Sequence, residues 1–508
     1  MSRIVLATLN ARYIHSALGL RYLLTNMGPL REQTALREFT LENRPIDIVE
    51  RLLAGKPRII GLGVYIWNVE QSTRVAALLK QIAPEVTLVL GGPEVSFEWE
   101  QQPIVALADH LITGQADHAF ATLCGQLLNG GSAPGVIHPP PVEPAALTLP
   151  YDAYGDDDIA HRVIYVEASR GCPFKCEFCL SALERSSRPF PLDPLLQALE
   201  RLYRRGVRHF KFVDRTFNLD PRHSGAILDF FLQRMDPSLF LHFEVIPDRL
   251  PDTLRSRLAR FPPGSLQLEL GVQSFNPGVQ ALISRRQDNS KSVENLRWLR
   301  QQSHAHLHTD LILGLPGEGM QSFAAGFDRL YGLRPHEIQV GALKRLRGAP
   351  ITRHGENAGL RFDPHPPYEI LSSAAIDFPT MQRLKRFARY WELIANSGRF
   401  SHTLPTLLGE RPFARFLDFS DWLHATTGQL HRFALKRLFT LLYRGMTECC
   451  GVAPARAEAL LREDYRRSGL KGSPDFRAPG EMEREHRGDA GGGHGVRQRR
   501  HADAPDGP

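Results

Sequence analysis

Cys172-Pro173-Phe174-Lys175-Cys176-Glu177-Phe178-Cys179 places three thiols within eight residues, at the spacing C-x3-C-x2-C. Three thiolates can hold three irons of a [4Fe–4S] cube and leave the fourth iron open, whereas a full ligand set is four cysteines. An open iron is a place for a substrate or cofactor to bind. Arg170-Gly171 before the first Cys and Pro173 after it turn the chain out of an apolar strand, Val163–Ala168. Two other readings are a structural zinc site and a disulfide. Zinc wants four ligands in paired spacing, and no partner C-x2-C exists here. The remaining Cys124, Cys449 and Cys450 are scattered and do not form a disulfide framework.

Downstream of the loop, strand and helix patterns alternate. Strands are expected at His209–Phe217, Leu241–Ile246, Leu266–Gln273, His308–Leu313 and Glu337–Leu343. Helical periodicity lies between them, at Pro194–Arg205, Ser224–Met235 and Val293–Gln302. With the strand before the Cys loop this makes six βα units over residues 161–350, a partial (β/α)6 barrel. Barrel chemistry sits at the C-terminal ends of strands. Cys172–Cys179, Asp214, Glu244, Gln273 and Glu318 fall at or near such ends. His304, His306 and His308 alternate and would share one strand face. That pattern can bind a metal; it also suits residues at the barrel bottom or surface.

Upstream, residues 1–130 read as a second α/β unit, a doubly wound, Rossmann-like parallel sheet. Its strands are Arg3–Leu9, Ala35–Leu41, Arg58–Tyr65, Val86–Leu90 and His110–Thr113. Asn68 and Gln71 have capping-box spacing at the start of a helix. Ligands of such sheets bind outside the carboxyl ends of the strands. Asn10–His15, Tyr65–Asn68 and Gly91–Ser96 lie there, and Gly91-Gly92 would let a flat ligand approach the backbone. Residues 131–160, rich in Pro, Gly and Ala, read as a linker.

Residues 351–471 are helical and basic. From Pro379 to Thr447 there are eleven Lys/Arg against four Asp/Glu, which matches the whole-chain excess of +7. A basic surface can meet nucleic acid or an acidic substrate, and it can equally be a solvated helical face. The tail, 472–508, is nearly devoid of apolar residues and is expected to be disordered. The N-terminus lacks the h-region of a signal peptide, and no apolar run is long enough for a membrane span. A cytoplasmic location with reduced thiols is expected.

These stretches resemble the cobalamin-dependent branch of the radical S-adenosylmethionine (SAM) enzymes. The Cys loop carries aromatic Phe178 before its last Cys. Lys211-Phe-Val-Asp214-Arg-Thr-Phe-Asn218, Glu269-Leu-Gly271-Val-Gln273-Ser274-Phe and Asp310-Leu-Ile-Leu-Gly314-Leu-Pro-Gly317-Glu318 resemble strands two, four and five of that branch. Gly91-Gly-Pro-Glu-Val resembles its N-terminal cobalamin-binding domain. Tyr368-Glu-Ile-Leu and Asn396-Ser-Gly-Arg-Phe400 resemble a C-terminal domain of unknown function found in one subgroup.

The resemblance implies a radical SAM enzyme with three cofactors: a [4Fe–4S] cluster, SAM and cobalamin. Cys172, Cys176 and Cys179 would ligate the cluster, and SAM would chelate the open iron and yield a 5′-deoxyadenosyl radical. Phe178 and Gly314–Gly317 would lie against adenine, and Asp214 and Asn218 near SAM's amino group. Glu244 and Gln273 would bond the ribose or the methionyl carboxylate. Asn10, His15, Tyr65, Gly91 and Gly92 would face cobalamin, with Trp67 beside them. No Asp-x-His-x-x-Gly is present, so the usual lower axial histidine is missing. The implied reaction is methyl transfer to an unactivated carbon of an unknown substrate, fed by a flavodoxin- or ferredoxin-like electron donor, with no membrane partner. Alternatives are an RNA-modifying enzyme of methylthiotransferase type, a cobalamin-assisted cyclase without methyl transfer, and a cluster- or cobalamin-based sensor. The methylthiotransferase reading needs a second cluster, for which Cys124, Cys449 and Cys450 are a poor set.

Overall fold

The computed structural model describes residues 3–184, 186–472, 474, 476, 497–498 and 500–501. The chain divides into two units. The first comprises Met1–Phe243 with Lys344–Thr352 and Asp363–Glu369. The second comprises Glu244–Leu343, Arg353–Phe362 and Ile370–Pro508.

The first unit opens with a parallel sheet of β1 (Ile4–Asn10), β2 (Thr34–Thr40), β3 (Ile59–Gly63), β4 (Thr87–Gly91), β5 (His110–Ile112) and β6 (Val136–Ile137). Its order is β2-β1-β3-β4-β5-β6. The direction of chain progression reverses between β1 and β3, which makes the carboxyl ends there the ligand crevice of a doubly wound fold. β1 is buried along its whole length because helices cover both faces. The apolar faces of Pro45–Leu53 and Val69–Ile82 pack on one side, through Ile48, Val49, Leu52, Val75 and Leu79. Leu18–Thr25 and Ala119–Leu128 pack on the other, through Leu20, Leu24, Phe120 and Leu123.

Two local expectations differ. Asn68 does not cap its helix. Fully buried, it is spent on strand ends instead: its amide donates to Thr8 Oγ1, Leu9 O and Gly63 O, and its Oδ1 accepts from Tyr65 N–H. The stretch read as a linker also contributes structure, since β6 adds to the sheet edge. Tyr151 and Tyr154, within that stretch, are buried. The following helix, Asp156–His161, is tied back by Arg21, which bridges Glu38 (2.7 Å) and Asp158 (2.8 Å).

The second α/β series begins within the same unit. β7 (Ile164–Val166), β10 (His209–Phe212) and β11 (Phe240–Val245) are parallel, β10 lying between the other two. Between β7 and β10, the two-residue strands β8 (Ser169–Arg170) and β9 (Arg188–Pro189) pair antiparallel. They close the neck of the loop that carries the three thiols.

In the second unit β12 (Leu266–Gln273), β13 (His306–Leu313) and β14 (Glu337–Ala342) are parallel in that order. The chain therefore contains the six successive βα strands of a partial (β/α)6 barrel, followed by helices. Asn396 satisfies β14, accepting from Ile338 N–H and donating to Ile338 O. Met320–Tyr331, Phe378–Ile394 and Pro412–Thr427 meet through Phe327, Phe387, Trp391, Phe413 and Phe416. Part of the basic charge here is paired on the helices' own surfaces, Arg383 with Asp421 and Arg444 with Glu448. No helix among the described residues is long and apolar enough to cross a membrane. Most of the tail expected to be disordered lies outside the described residues. Of those that are described, Phe476 is buried against Phe439 and Tyr465. Arg497 pairs with Glu337 and Glu392.

Candidate active site

Cys172 and Cys176 are each 8% exposed, and Cys179 is half-buried. Cys179 N–H donates to Cys176 O, which folds the loop back on itself. Gly171, at φ +87, makes the turn into the loop, and a Cβ there would lie 2.2 Å from Ser186 O. No side chain fits. Burial pushes the Cys172 thiol up, helped by Cys179 and Cys176 and opposed by the Phe174 N–H and the Arg215 guanidinium. Three soft, mutually sensed sulfur donors on one loop fit an iron–sulfur cluster. Glu177, between the last two thiols, is 2% exposed.

Asp214 lies under this loop. β10 ends at Phe212 rather than running to Phe217, so Asp214 leaves the strand and turns back. Its oxygens accept from Ala168 N–H (2.9 Å) and Ser169 Oγ (2.7 Å). Burial raises its carboxyl to about 6, against these hydrogen bonds. Both oxygens are thus engaged in holding the chain that enters the Cys loop. Asn218, also buried, sits in the short helical turn after it. Phe178 is half-buried in the loop.

A cavity of about 360 Å³ opens at the carboxyl ends of the first sheet, lined in part by Gly63, Tyr65, Gly91, Gly92 and Gly114. Glu167, Arg170 and Gly171, the residues that lead into Cys172, also line it. Gly92, at φ +111, is required by the fold, since a Cβ would stand 2.4 Å from Val64 O. Gly91 has room for one, at 3.5 Å from Ile112 O. Tyr65 stacks on Trp67 (centroids 4.5 Å apart, 9° interplanar), and Trp67 remains 47% exposed. Asn10 donates to Glu38 and to His15 O. His15 Nδ1 bonds Tyr165 Oη at 2.7 Å. Burial, then Lys211 and Arg12, lowers the His15 pKa, so the ring is neutral at pH 7. The recessed, glycine-floored and aromatic-flanked character of this face fits a large planar cofactor.

Three features here carry no local sequence signal. Arg170 makes a two-pronged pair with Asp117 (2.9 and 3.1 Å) and reaches Glu167 (3.1 Å). Its guanidinium lies over Tyr22. Burial lifts Glu167 to about 7, with Arg170 opposing. Glu94 and Tyr368, described below, lie within the Gly91–Val95 and Tyr368–Leu371 stretches, whose resemblance to the family gives neither a role.

The remaining expected residues belong to the second unit. Glu244 and Gln273 are half-buried at the ends of β11 and β12. Gln273 takes φ +68, beside a register slip at Gly271. Gly314 and Gly317 also have positive φ, and Cβ atoms there would meet Ile370 and Leu282 at 2.8 Å. Glu318 accepts from Ser274 Oγ (2.5 Å) and Ser322 Oγ, while its Oε2 is buried with no hydrogen-bond partner among the described residues. Burial raises it to about 7. His306 and His308 both turn to Glu337, which Arg497 also binds. His308 is held protonated by Asp310 and Glu337 despite burial. The ligand atoms of His306, Glu337 and His501, and those of Glu269, His308 and Asp310, each gather within 4.8 Å of one another, while Glu337 also pairs with Arg497.

Family models match three stretches of the chain. The B12 binding domain family matches residues 4–124, the Radical SAM superfamily residues 166–330, and a protein family of unknown function, DUF4080, residues 356–487. The cobalamin-dependent radical SAM methyltransferase TokK of Streptomyces tokunonensis is 27% identical over 351 residues, 61% of this chain and 50% of TokK. The chain spans about half the length of that relative. Among solved structures, the radical SAM methyltransferase TsrM of Kitasatospora setae, with cobalamin and [4Fe–4S] cluster bound, aligns with a TM-score of 0.59 at 15% identity. That alignment covers 92% of this chain and all of the other. The cobalamin-dependent SAM radical enzyme OxsB aligns at 0.62 and 13% identity, covering 93% and 82%. At these identities the likeness is one of fold.

Proposed function

For a chain that carries a B12 binding domain, a radical SAM domain and a DUF4080 region, we propose a cobalamin-dependent radical SAM enzyme that transfers a methyl group to an unactivated carbon. The observation that carries this reading is a cavity lined both by the glycine turns of the first sheet and by Arg170-Gly171. The cavity thus reaches the residues that lead into the cysteine loop. When bound, the cluster with SAM supplies a 5′-deoxyadenosyl radical and cobalamin supplies a methyl carrier; the protein positions and shelters them.

Cys172, Cys176 and Cys179 hold the cluster. Asp214 fixes the chain entering the loop, and Arg170 braces it against Asp117. Asn218, Glu244, Gln273 and the Gly314–Gly317 turn bind SAM. Asn10, His15, Tyr65, Gly91 and Gly92 face cobalamin. The donor of the reducing electron is a flavodoxin- or ferredoxin-like protein. The second cluster of a methylthiotransferase would need further cysteine ligands, and Cys124 is fully buried in the core of the first sheet.

The test is anaerobic purification and reconstitution, assay of iron, sulfide and cobalamin, and incubation with SAM and a strong reductant. 5′-Deoxyadenosine, with labelled methyl from SAM in a carbon-methylated product, is the expected outcome. Cobalamin-free protein, or no SAM cleavage by cluster-loaded protein, would sink the reading.

A further inference from the structure

Residues Lys344–Thr352, which follow β14, carry none of the site motifs. Yet they touch both cofactor loops within the first unit. Ile351 N–H donates to Glu177 O (2.9 Å), the residue between Cys176 and Cys179. At the other end, Arg347 Nε donates to Glu94 (2.9 Å) and Arg345 to Glu98 (2.8 Å). Glu94 stands two residues after Gly92 and is 4% exposed. Gly348 N–H donates to Glu98 as well, and a Cβ on Gly348 would strike the Phe97 ring at 2.4 Å. The segment is thus closely seated on the Gly91–Glu98 turn.

Tyr368 completes the contact. Its hydroxyl donates to Glu94 Oε1 (2.7 Å) and accepts from Arg347 Nη2 (3.0 Å). Arg345 N–H donates to Tyr368 O, so the two short segments are paired. Tyr368 adopts φ +55. A bulky residue in the left-handed region is strained, and such strain persists where the surroundings over-determine it, often at functional sites.

We propose that Glu94, Arg347 and Tyr368 form a bracket that sets the separation between the cluster loop and the cobalamin face. They are positioning residues, not catalytic ones. The inference rests on the proposed function, because it assigns the bracket a role only in steps that need both cofactors. Cleavage of SAM to 5′-deoxyadenosine needs the cluster and SAM. Removal of the methyl group from SAM, leaving S-adenosylhomocysteine, would need cobalamin as methyl acceptor beside SAM.

The experiment compares reconstituted full-length wild type with Tyr368→Phe, Arg347→Gln and Arg347→Lys. Iron, cobalamin content and melting temperature are measured first. The expected result is normal loading of both cofactors and 5′-deoxyadenosine formation within about twofold of wild type. S-Adenosylhomocysteine formation should fall by about ten- to a hundredfold, the size of effect a misplacement near 1 Å produces, and Arg347→Lys should recover part of it. A parallel fall in both products, or no change in their ratio in a fully loaded variant, would overturn the bracket. If Arg347→Gln loses cofactors, Tyr368→Phe, which removes one hydroxyl, decides. Wild type that forms neither product overturns the proposed function itself.

Discussion

Arg170, two residues before the first cluster cysteine, grips Asp117 of the first domain with two hydrogen bonds of 2.9 and 3.1 Å. The pair is buried, with side-chain exposures of 12% and 7%. The start of the cysteine loop is therefore fixed to the rim of the cavity at the carboxyl ends of the first sheet.

Breaking that pair leaves a buried carboxylate uncompensated. Arg170→Ala is expected to destabilise the protein by about 3–5 kcal/mol, the usual cost of removing one partner of a buried ion pair. It should also lower cluster loading. Arg170→Lys keeps the charge but not the fork, so its loss should be intermediate. Melting curves and iron content check both.

Replacing Cys172, Cys176 or Cys179 singly by Ala should abolish iron loading and SAM cleavage while leaving cobalamin binding intact, because the cobalamin face draws on other loops. Cys124→Ala should leave iron and activity unchanged. Iron and sulfide analysis beside cobalamin absorbance separates these outcomes.

The two glycines of the Gly91-Gly92 turn should respond differently. Gly92→Ala forces a Cβ onto Val64 O at a φ of +111; a loss of at least about 1–3 kcal/mol is expected, together with weakened cobalamin binding. Gly91→Ala meets only van der Waals contact in the fold. Any loss of cobalamin affinity in that variant, at unchanged melting temperature, reports the ligand's own approach.

Glu318 predicts a pH dependence. Its folded pKa of about 7 lies above the ordinary 4.5, so the native state holds this proton more tightly than the unfolded chain. Stability from this group is full below the unfolded pKa and falls as pH rises through about 7, by linkage. The total is on the order of 3 kcal/mol for a residue this buried. Glu318→Gln cannot titrate. The melting temperature of wild type relative to this variant should drop between pH 5 and pH 8; a pH-independent difference would refute the assignment.

The strand pattern was legible because apolar runs bounded by turn residues are a local signal. Leu266–Gln273 is a strand as read, and the other barrel strands agree within a few residues except at β10. There Asp214 interrupts the pattern: its carboxylate finds two donors at Ala168 and Ser169, and the backbone follows. β6 was missed because two residues, Val136-Ile137, gain strand geometry only from pairing with β5. Asn68 had the spacing of a cap, yet a fully buried amide is better satisfied by four backbone and hydroxyl partners than by one helix end.

Three thiols in a short loop, glycine turns at strand ends, and the succession of a doubly wound domain, six βα units and a helical region are all legible in the amino-acid sequence. Periodicity and spacing encode these because each depends on neighbours in the chain. How the cysteine loop and the Gly91–Glu98 turn of the first unit are joined is set by folding. Asp117 with Arg170, and Glu94 with Arg347 and Tyr368, are separated by 53 to 274 residues. Ion pairs and hydrogen bonds at such separations are created by folding, and no local pattern announces them.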